Sequence, residues 1–319
     1  MNLETAYKTY LCVKKQVDAM GCKKFRVGIK NFDTQKMMHR EYTEEQLLNH
    51  KTIKFLRAKN ANNENIYIAP AKDIETNLVL IDDLEYWQIE KMEDSGLTAC
   101  VIVETSPENY QAWIKLSSGP VPAEERKIVS RIITKEFNTD IGCIGAWHYG
   151  RLAGFTNRKK KYFDEKLGLY PYVKLIKADP DAIAPGGHKY IEKAKQLIEE
   201  EKKTLMTHQE RCKIHQITDE IIKKYLECRD LIIHDVEEKL VPKGYRVDYS
   251  VVDYRIAVEL AQNGFTEEQI IEILRHVSYE LERRKAKHVF DYLQRTARKA
   301  IEHVLNFPEW EDYEEKSPR

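Results

Sequence analysis

The chain has 319 residues and no surplus of either charge, since Lys+Arg and Asp+Glu both number 52. A uniformly basic surface is thereby excluded, and any hold on a polyanion has to come from a local patch. No apolar run reaches membrane-spanning length, and the opening MNLETAYKTYLCVKKQ lacks the apolar stretch of a signal peptide. The six cysteines (12, 22, 100, 143, 212 and 228) contain no CxxC pair and no framework spacing. Free thiols in a reducing, cytoplasmic setting are the expectation. No fixed-period repeat or low-complexity tract is present. What is there is 33% charged and 42% hydrophobic, which suits a globular protein long enough for two domains.

The pattern divides in two. Between residues 24 and 178, short β-type runs alternate with helices: KFRVGI (24–29), NIYIAP (65–70), NLVLI (77–81), ACVIVET (99–105), YQAWIKL (110–116) and YPYVKLI (170–176) read as strands. SPEN between two of them suits the turn of a hairpin. Thr43 with Gln46 three residues on is a capping-box signature for a helix through the fifties. Ile128, Ile132, Ile133 and Phe137 share one face of a helix starting near Pro122. The expected class is α+β around a mixed or antiparallel sheet. Past residue 185 the texture becomes helical: a charged connector, then a small all-α bundle with Gly264 at a helix C′ position and a second capping box at Thr266. The expected domains are 1–185, a connecting helix over 186–212, and a bundle over 213–319.

Two constellations carry chemistry. The apolar run Leu78–Ile81 reads as a strand buried on both faces, yet it ends in Asp82 and Asp83. Neighbours on a strand point to opposite faces, so these two converge only if the strand ends or bulges there. Paired carboxylates at a strand end fit a hard divalent cation, Mg²⁺ or Mn²⁺, whose charge offsets their repulsion; two exposed turn residues are the plainer alternative. Asp140, in EFNTD after the amphipathic helix, is placed to bring a third oxygen donor. The second constellation is HYGRLAGFTNRKKK (148–161). There Gly150 and Gly154 permit close backbone approach, and His148, Arg151, Asn157, Arg158 and Lys159 offer donors to phosphate. Lys160 and Lys161 extend the positive charge, and the three lysines also fit a solvated loop. Carboxylates for a metal plus a polyphosphate cradle point to nucleotidyl transfer. A metal-dependent nuclease is the alternative, as is a His-x-His replication initiator, although none of the ten histidines forms an HxH pair.

His208, Cys212 and His215 share a helical face at i, i+4 and i+7 and offer zinc three donors, with Cys228 or His234 as a fourth; a half-buried helix face is the simpler account.

Taken in order, AMGCKKFRVGI with MMHRE, NIYIAPA, LVLIDDL, VIVETSPENYQAW and HYGRLAGFTNRK resemble the RepB-type plasmid replication primases, a branch of the archaeo-eukaryotic primase superfamily. The resemblance covers roughly residues 16 to 175. It implies an RRM-like catalytic core making primers on a single-stranded DNA initiation site from nucleoside triphosphates, for a plasmid or similar mobile element. Asp82, Asp83 and Asp140 would be metal ligands, and His148 would stand at the superfamily's nucleotide-binding histidine. Arg151, Arg158 and Lys159 would lie near the triphosphate or template. The superfamily spaces its first two acids by one residue, whereas here they are adjacent, so the principal ligand of the two stays open. Tyr110 and Trp113 on the hairpin, and Arg295, Arg298 and Lys299 on the last helix, are candidates for template contact. The expected assembly is a monomer with a replicative helicase as a possible partner.

Overall fold

The computed structural model describes residues 3–211, 217–240 and 247–306, and the chain divides into two units, Met1–Leu197 and Ile198–Arg319. The first unit is built on two four-stranded sheets. One runs in the order β2–β1–β3–β7, from β1 (Lys24–Asn31), β2 (Met37–Thr43), β3 (Glu64–Pro70) and β7 (Gly150–Arg151). The other runs β4–β6–β5–β8, from β4 (Leu78–Leu84), β5 (Val101–Ser106), β6 (Asn109–Lys115) and β8 (Lys174–Ala178). Every strand pair in them is antiparallel, so of the mixed or antiparallel sheet expected it is the antiparallel form that is present, and as two sheets.

Alternation explains the strands that sequence could find. Phe25, Val27 and Ile29 of β1 are buried every second residue, and Leu78–Ile81 of β4 are buried on both faces. The β5–β6 hairpin turns on Pro107 and Glu108, the latter at φ 61°. β2 lies at a sheet edge with five of its seven residues exposed and none buried, and therefore has no buried apolar face to read. YPYVKLI yields β8 only from Lys174; before it, Tyr172 makes a single bridge to Thr156.

The helices of this unit are α1 (Leu3–Met20), α2 (Glu44–Leu48), α3 (His50–Ala61), α4 (Tyr86–Asp94) and α5 (Ala123–Phe137). The Thr43 box forms in both directions, at 3.2 and 3.0 Å, but its helix lasts five residues. Asn49 then adopts an extended backbone and caps α3 with its own side chain, an alternative to the helix ladder that short amides offer. α5 buries Ile128, Ile132, Ile133 and Phe137, and stops at Asn138 in the left-handed region. The 186–212 segment forms α6 (Gly187–Arg211), which is not solvated throughout: Tyr190 and Ala194 are buried, and a Cβ on Gly187 would stand 2.1 Å from the Leu116 carbonyl oxygen.

The second unit holds α7 (Asp219–Leu240), α8 (Tyr249–Gln262), α9 (Glu267–Val277), α10 (Leu281–Lys285) and α11 (Val289–Asn306) around Tyr225, Ile256, Leu260, Ile273, Leu274, Leu293 and Ala297. Gly264 has φ +79° and the Thr266 capping box is complete. A buried carboxylate, Asp253, accepts from Ser278, Tyr292 and the Arg284 guanidinium at 2.8, 2.6 and 2.7 Å. Of the zinc candidates, Cys212, His215 and the His208 side chain lie outside the described residues, and the Cys228 thiol donates to Glu259 at 3.0 Å. The acidic C-terminal stretch EWEDYEEKSPR (309–319) also lies outside them. No described helix is long and apolar enough to cross a membrane.

Candidate metal and phosphate site

A classical pleat would send Asp82 and Asp83 to opposite faces. Here β4 carries one residue more than β6 between the pairs Ile81–Ala112 and Leu84–Tyr110, a bulge that contains both aspartates. Asp83 takes up the turn with φ 59°, a conformation that Asp tolerates better than most residues. Its N–H donates to the Asp82 carboxylate at 2.7 Å. Its own carboxylate accepts from the Asn109 amide at the hairpin turn.

α5 brings the third aspartate. Past the left-handed Asn138 the chain passes under β4, where the Asp140 N–H donates to the Asp82 carbonyl at 3.4 Å. Asp140 then accepts from the Gly142 N–H at 2.8 Å. One donor atom each of Asp82, Asp140 and Cys143 lies within 4.8 Å of the others. The Cys143 thiol donates to Asp82 at 3.2 Å. Its pKa is pushed far up by burial and by both carboxylates, so the thiol keeps its proton. Two carboxylates on separate elements with open sides suit a hard divalent ion, and among the described residues this is the one such cluster. Asp83, turned to Asn109, stands outside the trio.

Asp82, Asp83 and Asp140 form one wall of a polar cleft of about 400 Å³. Lys30, Tyr67, Tyr149, Arg151, Lys159 and Tyr162 line the remainder, so acid and base face a common space. Arg151 is 3% exposed: its backbone N–H donates to Gln111 at 2.7 Å, its guanidinium to Asn65, and it lies 4.5 Å over the Tyr67 ring. Burial lowers its pKa, with Tyr67 and Asp82 opposing. Lys159, half-buried, is lowered by burial and then by Arg151. Tyr162 is moved upward by burial, but hydrogen bonds to Ser106 and Lys161 outweigh that and leave it low.

The basic loop is stitched down by buried amides rather than by its own charge. Asn157 donates to the Thr105 carbonyl at 2.8 Å, Asn65 accepts from the Arg158 N–H at 2.9 Å, and Gln16 spans Arg151 and Ala153 at 3.1 and 2.8 Å. Gly150 is required because a Cβ there would meet the Trp113 indole at 2.9 Å. Gly154, at φ +85°, lies against Thr9 and Cys12 of α1.

Not every candidate arrives at the cleft. Trp113 is 2% exposed and belongs to the core, so stacking on a template base is excluded by burial. Tyr110 meets Tyr86 edge-on at 5.7 Å. His148 is half-buried with its Nε2 3.2 Å from the Ile144 carbonyl, and is not among the cleft-lining residues. Arg158 faces a different groove, and Lys160 pairs with Asp33 at 2.8 Å. Arg295, Arg298 and Lys299 are exposed on one face of α11, but Arg295 pairs with Asp291 at 3.0 Å and Arg298 with Glu267 at 3.3 Å. Sequence reasoning missed Lys30, Tyr67, Tyr149, Tyr162 and Asn109. The period-2 pair Asn65 and Tyr67, polar in an otherwise apolar strand, is the signal that could have found the floor of the cleft. It also missed Arg126, buried, whose guanidinium donates to the Val121, Leu78 and Ala146 carbonyls at 3.1, 3.2 and 2.7 Å and so ties the loop after Asp140 to β4. Burial lowers its pKa to about 10.

Comparison with known proteins supplies independent findings. A family model for the RepB DNA-primase N-terminal domain matches residues 28–204, and one for the RepB DNA-primase C-terminal helical domain matches residues 247–300. Mobilization protein A of Escherichia coli is 31% identical over 296 residues, which are 92% of this chain and 40% of that protein. This chain therefore spans 40% of the length of that curated relative. The crystal structure of the catalytic domain of primase Repb′ in complex with initiator DNA is 34% identical, covers 61% of this chain and 98% of its own, and superposes with a TM-score of 0.57. The crystal structure of primase RepB′ is 30% identical, with 92% and 94% covered and a TM-score of 0.57.

Proposed function

The chain belongs to the RepB DNA-primase family, and from that premise we propose that its first unit is a template-directed nucleotidyltransferase that makes primers on single-stranded DNA. The carrying observation is the convergence of Asp82 and Asp140 in the same cleft as Arg151 and Lys159. The oxygen donors fit Mg²⁺ or Mn²⁺, with Asp82 and Asp140 as the holding pair and Asp83 shaping the bulge. Such an ion, when bound, supplies charge to activate a 3′-hydroxyl and to offset the negative charge of the reacting phosphate. The chain's own part is positional. Lys159, Lys161 and Arg151 face the triphosphate, and the buried amides around Arg151 and Asn157 hold those cations in place without competing carboxylates. The new bond joins the 3′-oxygen to the α-phosphorus, and pyrophosphate leaves toward the basic wall. His148, engaged with Ile144, steadies the loop between Asp140 and the cradle. The helical unit is assigned to selecting the initiation site on the replicon's single strand, in the cytoplasm, with a replicative helicase as the next partner.

The test is primer synthesis on single-stranded DNA with deoxy- or ribonucleotides and Mg²⁺ or Mn²⁺, following pyrophosphate release. Wild type should release pyrophosphate only with template present, and Asp82→Ala should not. Synthesis at the wild-type rate by Asp82→Ala would end this reading, and strand cleavage in place of pyrophosphate release would make the protein a nuclease.

A further inference from the structure

A second groove, of about 640 Å³, shares Lys161 and Tyr162 with the cleft. Its lining is unusual for a free surface. Phe163, Leu167, Leu169 and Tyr172 are 41, 70, 62 and 51% exposed within ten residues of chain. A concentration of large apolar side chains held in water marks a binding surface. The segment is also built to hold them there. Asp164 and Leu169 form a bridge, the Asp164 side chain accepts from the N–H groups of Lys166 and Leu167 at 2.9 and 3.0 Å, and Gly168 closes the turn at φ +64°.

The cations in the groove say what it fits. The Arg158 guanidinium lies 4.9 Å over the Tyr170 ring, and its Nε is buried with no hydrogen-bond partner. Lys161 lies 4.8 Å over Tyr162, and Phe163 meets Tyr170 at 4.8 Å. Ring faces alternating with positive charge complement a polyanion whose flat bases are unpaired. Stacking serves any base, while Arg and Lys answer the phosphates. A duplex would keep its bases inside and leave the rings uncovered. We propose that this groove takes the unpaired bases of the single-stranded DNA template as the strand leads into the carboxylate cleft. The inference rests on the function proposed above and names where its template lies.

The test is fluorescence anisotropy on the full chain with three labelled probes: oligodeoxythymidylate, a strand of equal length with abasic residues throughout, and a blunt duplex. Wild type should bind the base-bearing strand at least tenfold more tightly than the abasic strand or the duplex. Phe163→Ala and Tyr172→Ala should each weaken the base-bearing complex on the order of tenfold and leave the abasic one nearly unmoved, the effect of one lost stacking partner. Tyr172→Phe, which keeps the ring, should bind as wild type does. The slope of affinity against salt should not change in Tyr172→Ala, because no phosphate contact is removed. Equal wild-type affinity for base-bearing and abasic strands would overturn the inference, and so would a Tyr172→Phe protein as weak as Tyr172→Ala. Binding is read without turnover, so the two proposals fail separately. Base-dependent binding without primer synthesis keeps the groove and removes the transferase, while synthesis with base-independent binding does the reverse.

Discussion

Replacing the three aspartates one at a time by asparagine separates ligand from scaffold. Oxygens of Asp82 and Asp140 stand within 4.8 Å. At that separation two unit charges repel by roughly 1 kcal/mol at the dielectric of water and about 3 kcal/mol at an effective value of 20. Asp82 is half-exposed and Asp140 exposed, which favours the lower figure. Asp82→Asn keeps an oxygen to accept from Cys143, so in chelator its stability should equal wild type or exceed it by about 1 kcal/mol. With Mn²⁺ at a hundred times its dissociation constant, wild type gains about 2.7 kcal/mol by mass action. That corresponds to roughly 5–10 °C for a domain of this size. Asp82→Asn and Asp140→Asn should lose that rise. Asp83→Asn should keep most of it, since asparagine accepts the left-handed φ of 59° and an amide oxygen can still face Asn109. Differential scanning fluorimetry across a Mn²⁺ titration reads all four proteins. A wild type whose melting temperature ignores the ion, or an Asp83→Asn protein that loses the rise as fully as Asp82→Asn, refutes the argument.

Gly150→Ala puts a Cβ 2.9 Å from the Trp113 Nε1 in a core that cannot yield, and should cost about 1–3 kcal/mol in urea unfolding while weakening nucleotide use through the adjoining Arg151. In the helical unit, burial and the Asp253 carboxylate push the Tyr292 phenol up to about 12 from 10. The stability this contributes is whole below pH 10 and is lost as pH rises through 12, about 2–3 kcal/mol in all. Alkaline denaturation of Tyr292→Phe should therefore be shallower than that of wild type, though not flat, because Tyr225 is likewise raised to about 12. A fragment ending at residue 205 contains the whole first unit and both walls of the cleft, and should fold and add nucleotides to a supplied primer end while losing preference for the replicon's own initiation site; circular dichroism and extension on matched and scrambled templates check it.

The elements legible in sequence were those whose burial repeats at a fixed period. β1, β3, β4 and the β5–β6 hairpin carry alternating or doubly buried apolar runs, and α5, α8, α9 and α11 carry apolar faces with caps or stops at their ends. β2 escaped because an exposed edge strand has no apolar face to display. The break at Asn49 escaped because a capping box announces where a helix starts and says nothing of the next side chain able to cap a second one. Trp113 misled because a strand presents the same alternation whether the indole meets solvent or Gly150, and only packing separates the two.

The order and chemistry of the site are properties of the chain itself. Two acids closing an apolar strand, a third after an amphipathic helix, and a glycine-punctuated cationic loop are enough to suggest a metal and a phosphate in one domain. Tertiary structure decided the division of labour among them. The bulge in β4 brings Asp82 and Asp83 to one cleft where a regular pleat would send them to opposite faces, with Asp82 beside Asp140 and Asp83 against the Asn109 amide. The stitching of residues 150–159 by Gln16, Asn65, Gln111 and Asn157 turns Arg151 and Lys159 into the cleft and Arg158 out of it. Neither outcome is written in spacing. A one-residue bulge reverses which face a side chain meets, and a long cation goes wherever buried amides fix its backbone, and both depend on neighbours brought together from distant parts of the chain.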